Sequence, residues 1–218
     1  MQELSASPDT RVWPAPPRAA NFLTTATSRS GLTSGVQNVA SRFERAARMT
    51  TIRRATPDDA ASLAAFGART FRETFEVDNS PDDVALYLET TYAPALQSAE
   101  LRHPGIVTLL AEDGRRLAGY AQLREGPAPE CVGGPAPIEI WRFYVDRDWQ
   151  GRGVAQALML ETLEAGIARG ARTAWLSVWE RNLRAQAFYR KCGFEDRGAR
   201  EFILGRDRQT DRVMVRLL

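Results

Sequence analysis

The sequence predicts a mixed α/β fold, in which helices pack on a mixed β-sheet. Its 218 residues, of which 44% are hydrophobic and 26% are charged, are typical of one globular domain with a sizeable core. Segments with the period of an amphipathic helix alternate with segments that have the period of a strand. From residue 51 onwards the order is β-α-α-β-β-β-α-β-α-β-β, which favours one sheet with helices on its faces.

The first 48 residues differ from the rest in composition. They are rich in Ala, Ser, Thr and Pro, and no acidic residue occurs from Thr10 to Phe43. Such a segment buries too little apolar surface to offset the entropy of ordering, so we predict a poorly ordered extension over 1–48 and a folded domain over 49–218. The Arg- and Ser-rich composition also resembles a transit peptide. An extension from an upstream start codon is the simpler interpretation, because Met49 stands just before the first predicted strand.

Two helices are predicted after that strand, Thr51–Ala55. Each begins with a capping residue, a proline at the first helical position and two acidic residues that interact favourably with the helix dipole. These starts are Thr56-Pro57-Asp58-Asp59 and Ser80-Pro81-Asp82-Asp83. Apolar residues at helical spacing follow both starts, and the second helix is interrupted near Pro94.

The remaining elements have clear turn signals between them. Glu112-Asp113-Gly114 is a hairpin turn, and residues 126–137, with four Pro and three Gly, form an irregular loop. The predicted strands are 106–111, 117–123, 138–145, 174–179, 194–204 and 212–217, and the predicted helices are 150–169 and 182–189. The sequence therefore predicts about seven strands and about four helices.

The scarcity of some residue types argues against several kinds of chemistry. Lys191 is the only lysine and His103, in a turn, is the only histidine, so neither a Schiff-base lysine nor a His-rich metal site is expected. Two cysteines cannot form a disulfide framework or a four-thiolate zinc site, and we predict no bound metal. The 29 basic and 27 acidic residues nearly balance, so we expect no nucleic-acid partner. No apolar run could span a bilayer and no secretory signal is recognisable, so we expect no membrane partner and a cytoplasmic location.

The strand–turn–helix segment from Val145 to Ala155 is the most informative part of the sequence. Its Gly-x-Gly lets the backbone approach an anion, the first amides of the helix point towards that anion, and Arg152 adds a positive charge. The segment predicts a pyrophosphate site, and a turn that merely caps the helix is the alternative. A P-loop is excluded because Lys191 is not followed by Ser or Thr. Gln156 stands where a dinucleotide-binding turn needs a small residue.

Two motifs resemble those of the GCN5-related N-acetyltransferase (GNAT) superfamily. Gln150-Gly151-Arg152-Gly153-Val154-Ala155 is similar to its acyl-CoA motif, Gln-x-x-Gly-x-Ala, and residues 182–194 resemble its Asn-…-Ala-…-Phe-Tyr-…-Gly-Phe segment. The two motifs lie at the family's usual separation, and the resemblance covers residues 51–218. It implies the GNAT fold, with a mostly antiparallel central sheet, and an N-acetyltransferase domain over 49–218 that uses acetyl-CoA as co-substrate.

Within this superfamily the sequence is most like the PaiA-type spermidine/spermine N-acetyltransferases. The similarity is carried by residues 71–75, 87–92, 138–140, 175–182 and 202–205. It implies transfer of acetyl to the primary amine of a polyamine or a peptide, by direct attack in a ternary complex. Two alternatives remain open. One is a protein N-terminal acetyltransferase, and the other is a non-catalytic regulatory module that binds acyl-CoA.

The resemblance also implies roles for individual residues. The backbone around Phe143 and Val145 would pair with the pantetheine arm as an added strand does. Asn182 would bond to this arm. Tyr189 would protonate or hydrogen-bond the departing sulfur, with a core position beside Phe188 as the alternative. The expected cofactor-binding residues are Phe143, Tyr144, Val145, Gln150, Gly151, Arg152, Gly153, Val154, Ala155, Asn182 and Tyr189.

Glu139 is the best-placed carboxylate for a general base. It interrupts the apolar strand that leads into the anion-binding turn. Two alternatives remain open: a structural ion pair, for example with Arg142, and a water chain that ends at another acid.

A charged stretch bears on the acceptor. Seven acidic residues and no Lys or Arg occur from Glu73 to Leu101, and the resemblance places the helices that carry them beside the acceptor groove. This charge favours a cationic amine, and a solvated helix face is the alternative. Trp141, Trp175 and Trp179 are candidates for the groove or for the core. We expect a small-molecule or peptide amine as the partner and leave a homodimer open.

Overall fold

The computed structural model of the protein describes residues 50–218, so the extension predicted over 1–48 lies outside the described residues. The strands are β1 (Thr51–Arg54), β2 (Ile106–Asp113), β3 (Arg116–Arg124), β4 (Pro137–Val145), β5 (Thr173–Trp179), β6 (Glu195–Leu204) and β7 (Asp207–Leu217). The α-helices are α1 (Ala60–Phe75), α2 (Pro81–Thr91), α3 (Pro94–Arg102), α4 (Val154–Ala168) and α5 (Leu183–Lys191). None of the helices within 50–218 is long and apolar enough to cross a membrane.

All seven strands form one sheet in the order β1-β2-β3-β4-β5-β7-β6. Neighbouring strands are antiparallel except β4 and β5, which are parallel. These two central strands pair only from Pro137 opposite Thr173 to Glu139 opposite Trp175. Beyond these positions they no longer pair, so the middle of the sheet opens into a gap.

Helices cover both faces of the sheet and bury a separate core on each. On one face α4 and α5 pack on the sheet, and Leu163 and Tyr189 join Leu176 and Met214 in the same core. On the other face α1 and α2 pack against β2 and β3, where Phe71 shares a core with Tyr120. The gap between β4 and β5 therefore lies between two helical layers.

The mixed α/β class and the seven predicted strands are confirmed. The second predicted helix is divided at Tyr92 and Ala93, and Pro94 becomes the first residue of α3, where a proline is tolerated. Residues 50–218 therefore contain five α-helices instead of about four. The last strand begins at Asp207 and not at Arg212, because its polar first half pairs with β6, and no hydrophobic alternation marks that half.

The helix predicted from Gln150 begins at Val154 instead. Gly151 and Gly153 have φ values of +74° and +91°, so the backbone turns before it enters the helix. The predicted anion-binding turn is thus a separate element between β4 and α4.

Candidate active site

The gap between β4 and β5 opens into a cavity of about 730 Å³. On the face covered by α4 and α5 it is lined by Phe188 and Tyr189. On the opposite face it is lined by Phe75 of α1 and Tyr87 of α2, and β7 contributes Asp211. One continuous space therefore connects the two faces of the sheet.

β4 presents an unpaired backbone edge to this cavity. Along one edge it pairs with β3 as far as Val145, which lies opposite Gly119. A β-bulge interrupts this pairing at Trp141, which has no partner in β3. Along the other edge none of the described strands pairs with it beyond Glu139. An extended ligand can hydrogen-bond to such an edge as an added strand does.

The turn between β4 and α4 has the geometry of an anion site. Gly151 and Gly153 adopt left-handed conformations that favour glycine. Gly153 directly precedes the helix, so the free amides of the first helical turn lie at the end of the loop. Gln150 keeps the turn closed, because its Nε2 donates to the carbonyl oxygen of Val145 at 3.0 Å.

Asp146 holds this turn against α1. Its buried carboxylate accepts hydrogen bonds from the Asp148 backbone N–H, at 2.9 Å, and from the Arg69 guanidinium, at 2.6 Å. Burial alone would raise the pKa of Asp146, but these bonds keep it below the usual value. Arg147 donates to the carbonyl oxygen of Glu73 at 2.5 Å and adds a second link to the helix.

Most of the predicted cofactor-binding residues meet at the cavity. Those that line it are Phe143, Tyr144, Val145, Gln150, Gly151, Ala155, Asn182 and Tyr189. Arg152 does not, since it is exposed and lies over the Trp149 ring, 5.4 Å from its centroid. Gly153 and Val154 are buried under the turn, and Val154 packs in the core.

Basic residues that the sequence analysis missed also line the cavity, and among them are Arg147, Arg184 and Lys191. The last two are seven residues apart on α5, which places them on one face of the helix. That spacing was a signal available in the sequence. Together these side chains add positive charge to the cavity wall.

Tyr189 lines the cavity from the α5 side. Its ring packs edge-on against Phe143 and Phe194, and its side chain is buried. Burial raises the pKa of the Tyr189 phenol above its usual value, so the hydroxyl stays protonated at neutral pH. The residue is thus a core aromatic and also places a hydroxyl donor in the cavity wall.

Asn182 begins the helix that carries Tyr189. Its Oδ1 accepts a hydrogen bond from the Ala185 backbone N–H at 3.0 Å and caps α5. The side-chain NH₂ group remains as a donor for a ligand.

Glu139 lies in the cavity wall and faces two arginines. Arg124 donates to its Oε2 from Nη2, at 2.5 Å, and from Nε, at 3.0 Å, and Arg200 Nη1 lies 3.7 Å from Oε1. The structural ion pair that the sequence left open is therefore present, but its partner is not Arg142. Glu139 and Arg142 are three residues apart on an extended strand, which separates them by about 10 Å. Arg142 pairs with Glu100 instead, at 2.5 Å.

Asp211 is a cavity residue that sequence reasoning missed. It lies on β7, opposite Trp179 of β5 and Arg200 of β6. Its side chain is buried, hydrogen-bonds with Ser177 and lines the cavity. Burial raises the pKa of Asp211 to about 6. No sequence signal marked it, because it stands in a polar run before the predicted strand.

Comparisons with known proteins identify the family of the chain. Residues 69–194, more than half of the chain, match the sequence model of the acetyltransferase (GNAT) family. The chain belongs to this family. An uncharacterized N-acetyltransferase of Mycobacterium tuberculosis is 35% identical over 160 residues, which are 73% of this chain and 98% of that protein. The chain is therefore an N-acetyltransferase, an enzyme of the acyltransferase class.

Two further relatives are informative. The N-alpha-acetyltransferase RimI of Mycobacterium tuberculosis is 36% identical over 110 residues, which are 50% of this chain and 65% of that protein. The crystal structure of the PaiA N-acetyltransferase of Thermoplasma acidophilum, in complex with coenzyme A, has a TM-score of 0.64. At 18% identity, over 78% of this chain and 99% of that chain, this likeness concerns the fold.

The acidic stretch expected beside an acceptor groove contributes little to the cavity. Of the seven acidic residues between 73 and 101, only Glu73 lines the cavity, and it pairs with Arg69 at 3.0 Å. Glu100 pairs with Arg142, and Asp83 accepts a hydrogen bond from a backbone N–H. The other four are exposed. This agrees with the solvated-face alternative, so the acidic stretch does not by itself support a cationic acceptor.

Aromatic side chains form much of the cavity wall on the side of α1 and α2 instead. Two of the three candidate tryptophans, Trp141 and Trp179, line the cavity with Phe75, Tyr87 and Phe202. Trp175 is buried in a core cluster with two valines of β7.

Proposed function

We propose that this enzyme transfers the acetyl group of acetyl-CoA to a primary amine by direct attack, with both substrates bound at once. The observation that carries this proposal is the cavity that passes through the sheet at the gap between β4 and β5. A thioester along β4 and an amine from the α1 and α2 side would meet in this gap. Such alignment of two reactants can lower a barrier by about 7–11 kcal/mol.

The end of the cavity near the glycine turn suits acetyl-CoA. The backbone amides of residues 151–155 would bind the pyrophosphate, and the free edge of β4 at Phe143 and Val145 would bind the pantetheine arm. When bound, acetyl-CoA supplies an acyl carbon activated as a thioester. Positive charge beside its phosphates would come from Arg147, Arg152, Arg184 and Lys191.

Tyr189 would stabilise the departing sulfur. Its protonated hydroxyl lies on the side of the gap where α5 packs, and its raised pKa suits a strong hydrogen bond to the sulfur more than complete proton transfer. The side-chain NH₂ of Asn182 would donate to the cofactor arm. Glu139, which is bound to two guanidinium groups, would position Arg124 and Arg200 in place of the general-base role expected for it.

The acceptor we propose is a polyamine. Phe75, Tyr87, Trp179 and Phe202 line the acceptor end, and aromatic faces attract alkylammonium groups. Asp211 adds a carboxyl group to the same wall. The α-amine of a peptide is the second candidate, favoured by the identity with the N-alpha-acetyltransferase RimI.

A thiol-release assay with an amine panel tests this function. Acetyl-CoA is incubated with spermidine, spermine or peptides with a free N-terminus, and free thiol is measured against a reaction without amine. We expect release above the amine-free rate with both polyamines. Release with peptides alone would identify the second candidate as the acceptor. Saturable acetyl-CoA binding without transfer to any amine would contradict the proposed reaction.

A further inference from the structure

We propose that Asp211 is the group that takes the proton from the acceptor amine, a role that rests on the proposed acetyl transfer. A primary amine is mostly protonated at neutral pH, and only its free lone pair can attack a thioester. The reaction therefore needs a proton acceptor beside the gap, on the side from which the amine arrives.

Asp211 has the required position. It pairs with Trp179, beyond the last position at which β5 still contacts β4. In β5, Leu176 and Val178 point to the face covered by α4 and α5, so Ser177 points to the opposite face. Asp211 hydrogen-bonds with Ser177 and thus reaches the cavity from the acceptor side.

The groups that face Asp211 leave it able to bind a proton. Ser177 on β5 hydrogen-bonds to the carboxylate, Arg200 on β6 attracts it, Glu180 after β5 repels it, and the Tyr87 hydroxyl approaches from α2. Within residues 50–218, no arginine forms an ion pair with it. Burial is the largest effect and raises the pKa of Asp211 to about 6, which suits a base that works near neutral pH.

Glu139, the carboxylate favoured from the sequence, is less suited to this step. Arg124 donates two hydrogen bonds to one of its oxygens, and Arg200 lies beside the other. These charge-assisted contacts already occupy the carboxylate oxygens of Glu139. Among residues 50–218, no arginine donates a hydrogen bond of this kind to Asp211.

In the proposed acetyl transfer, Asp211 and Tyr189 act from opposite faces of the sheet. Asp211 takes one proton from the ammonium group, and the nitrogen lone pair then forms the C–N bond while the C–S bond breaks and leaves its electron pair on sulfur. The nitrogen loses a second proton as the sulfur gains one. The products are the N-acetyl amine, the free thiol and one proton on Asp211, which passes to solvent.

The pH dependence of the Asp211→Asn variant tests this role. With whichever amine the panel identifies, we expect kcat/KM of the unmodified enzyme to fall below about pH 6, as the carboxylate becomes protonated. At pH 7 the kcat/KM of the variant should be lower than that of the unmodified enzyme by about 100-fold or more. Its activity should then rise steadily with pH as free amine accumulates, while its affinity for acetyl-CoA and its melting temperature show that the fold is intact.

Two further variants separate proton transfer from a structural effect. In Asp211→Ala, added formate should restore part of the activity, because a small carboxylate can enter the space that is left. Asp196→Asn, the same change in the same hairpin outside the cavity, should leave the pH profile unchanged.

The outcomes distinguish this role from the proposed function. If the unmodified enzyme is active and Asp211→Asn keeps its rate and pH profile, the role of Asp211 is wrong and the proposed function stands. The same conclusion follows if the fall in kcat/KM at acidic pH disappears in Glu139→Gln and persists in Asp211→Asn. An unmodified enzyme that releases no thiol with any amine would refute the proposed function and this role together.

Discussion

Three buried carboxyl groups around the cavity differ in what their partners allow them to do. Asp146 is held by a backbone N–H and by Arg69, so it fixes the turn between β4 and α4. Glu139 is bound to two arginines in the cavity wall. Asp211 has a serine as its hydrogen-bond partner and a raised pKa, which leaves it free to exchange a proton. Burial is common to all three, and the partners decide the role.

Replacing Tyr189 by Phe tests its hydroxyl. We expect kcat to fall by about 100-fold, because the departing sulfur loses a preorganised donor, with little change in acetyl-CoA affinity. Stopped-flow or steady-state thiol release measures kcat, and calorimetry measures the affinity for acetyl-CoA. Tyr120→Phe is the matched control, since that buried hydroxyl bonds to Tyr92 outside the cavity and its loss should affect stability only. Full activity of Tyr189→Phe at every pH would rule out the donor role.

Asp211→Asn should also change how stability depends on pH. The folded-state pKa of about 6 lies above the ordinary value of 3.8, so the carboxyl contributes most to stability below pH 3.8 and that contribution is lost as the pH rises through 6. A shift of this size corresponds to about 3 kcal/mol. Relative to the unmodified enzyme, the variant should therefore gain stability between pH 4 and pH 7, as measured by urea unfolding.

Asp196→Asn provides a control of opposite sign for this stability measurement. The hydrogen bond from Arg212 lowers the pKa of Asp196, so its contribution is present above the ordinary pKa and is lost as the pH falls through the folded-state value. Asp196→Asn should lose stability at pH 7. If Asp211→Asn behaves in the same way, the carboxylate of Asp211 does not oppose folding.

At the scale of elements, the tip of the β6–β7 hairpin is attached to α2 and closes the acceptor end. The backbone N–H of Arg206 donates to Asp83 at 2.8 Å, and Gln209 donates to Asn79. Gly205 makes the contact close, because a Cβ there would lie 2.5 Å from the Asp83 Cα, and its φ is +62°. This contact places Phe202 and Asp211 opposite the helices.

Gly205→Ala should loosen this contact. The left-handed backbone costs about 1–2 kcal/mol with a side chain, and the clash with the α2 backbone adds to it. We expect KM for the amine to rise several-fold while the acetyl-CoA affinity stays unchanged. Gly114→Ala in the β2–β3 turn is the control, because it has the same positive φ, +59°, with nothing within 4 Å. Equal effects of both variants on KM would show that the hairpin contact does not shape the acceptor site.

At the scale of the whole molecule, the sheet is two halves that meet weakly at the site. β1 to β4 form one half and β5 to β7 the other, and the two share only the short parallel pairing that ends at Glu139. A ligand in the gap would contact both halves. Binding should therefore stabilise the whole domain and not only the turn.

Acetyl-CoA should raise the melting temperature. At about 100 times its Kd, a ligand that binds only the folded state adds about 2.7 kcal/mol, which corresponds to about 5–10 °C for a domain of this size. Differential scanning fluorimetry with acetyl-CoA and with coenzyme A measures the shift. Gly151→Val, which places a branched side chain at a φ of +74°, should reduce it. An unchanged melting temperature at saturating ligand would contradict binding in the gap.

Sequence reasoning identified the parts of this site that are continuous segments of the chain. It missed residues that come together from separate strands. The turn at 150–155 and the Asn182–Tyr189 helix are continuous segments with recognisable spacing, although the helix after the turn begins at Val154 and not at Gln150. Asp211 escaped prediction because its burial depends on pairing with β5 and β6. The arginine partners of Glu139 escaped it for a similar reason, since Arg124 and Arg200 come from two different strands.

By itself, the sequence determined the mixed α/β class, the order of the strands along the chain, the glycine turn before α4 and the similarity to a family of acetyltransferases. These features depend on short-range periodicity, turn residues and local motifs. Only the tertiary structure decided which carboxyl group is paired and which is free, and which charges face the cavity. Those properties depend on contacts between residues far apart in the chain, and burial and ion pairing exist only after the strands have met.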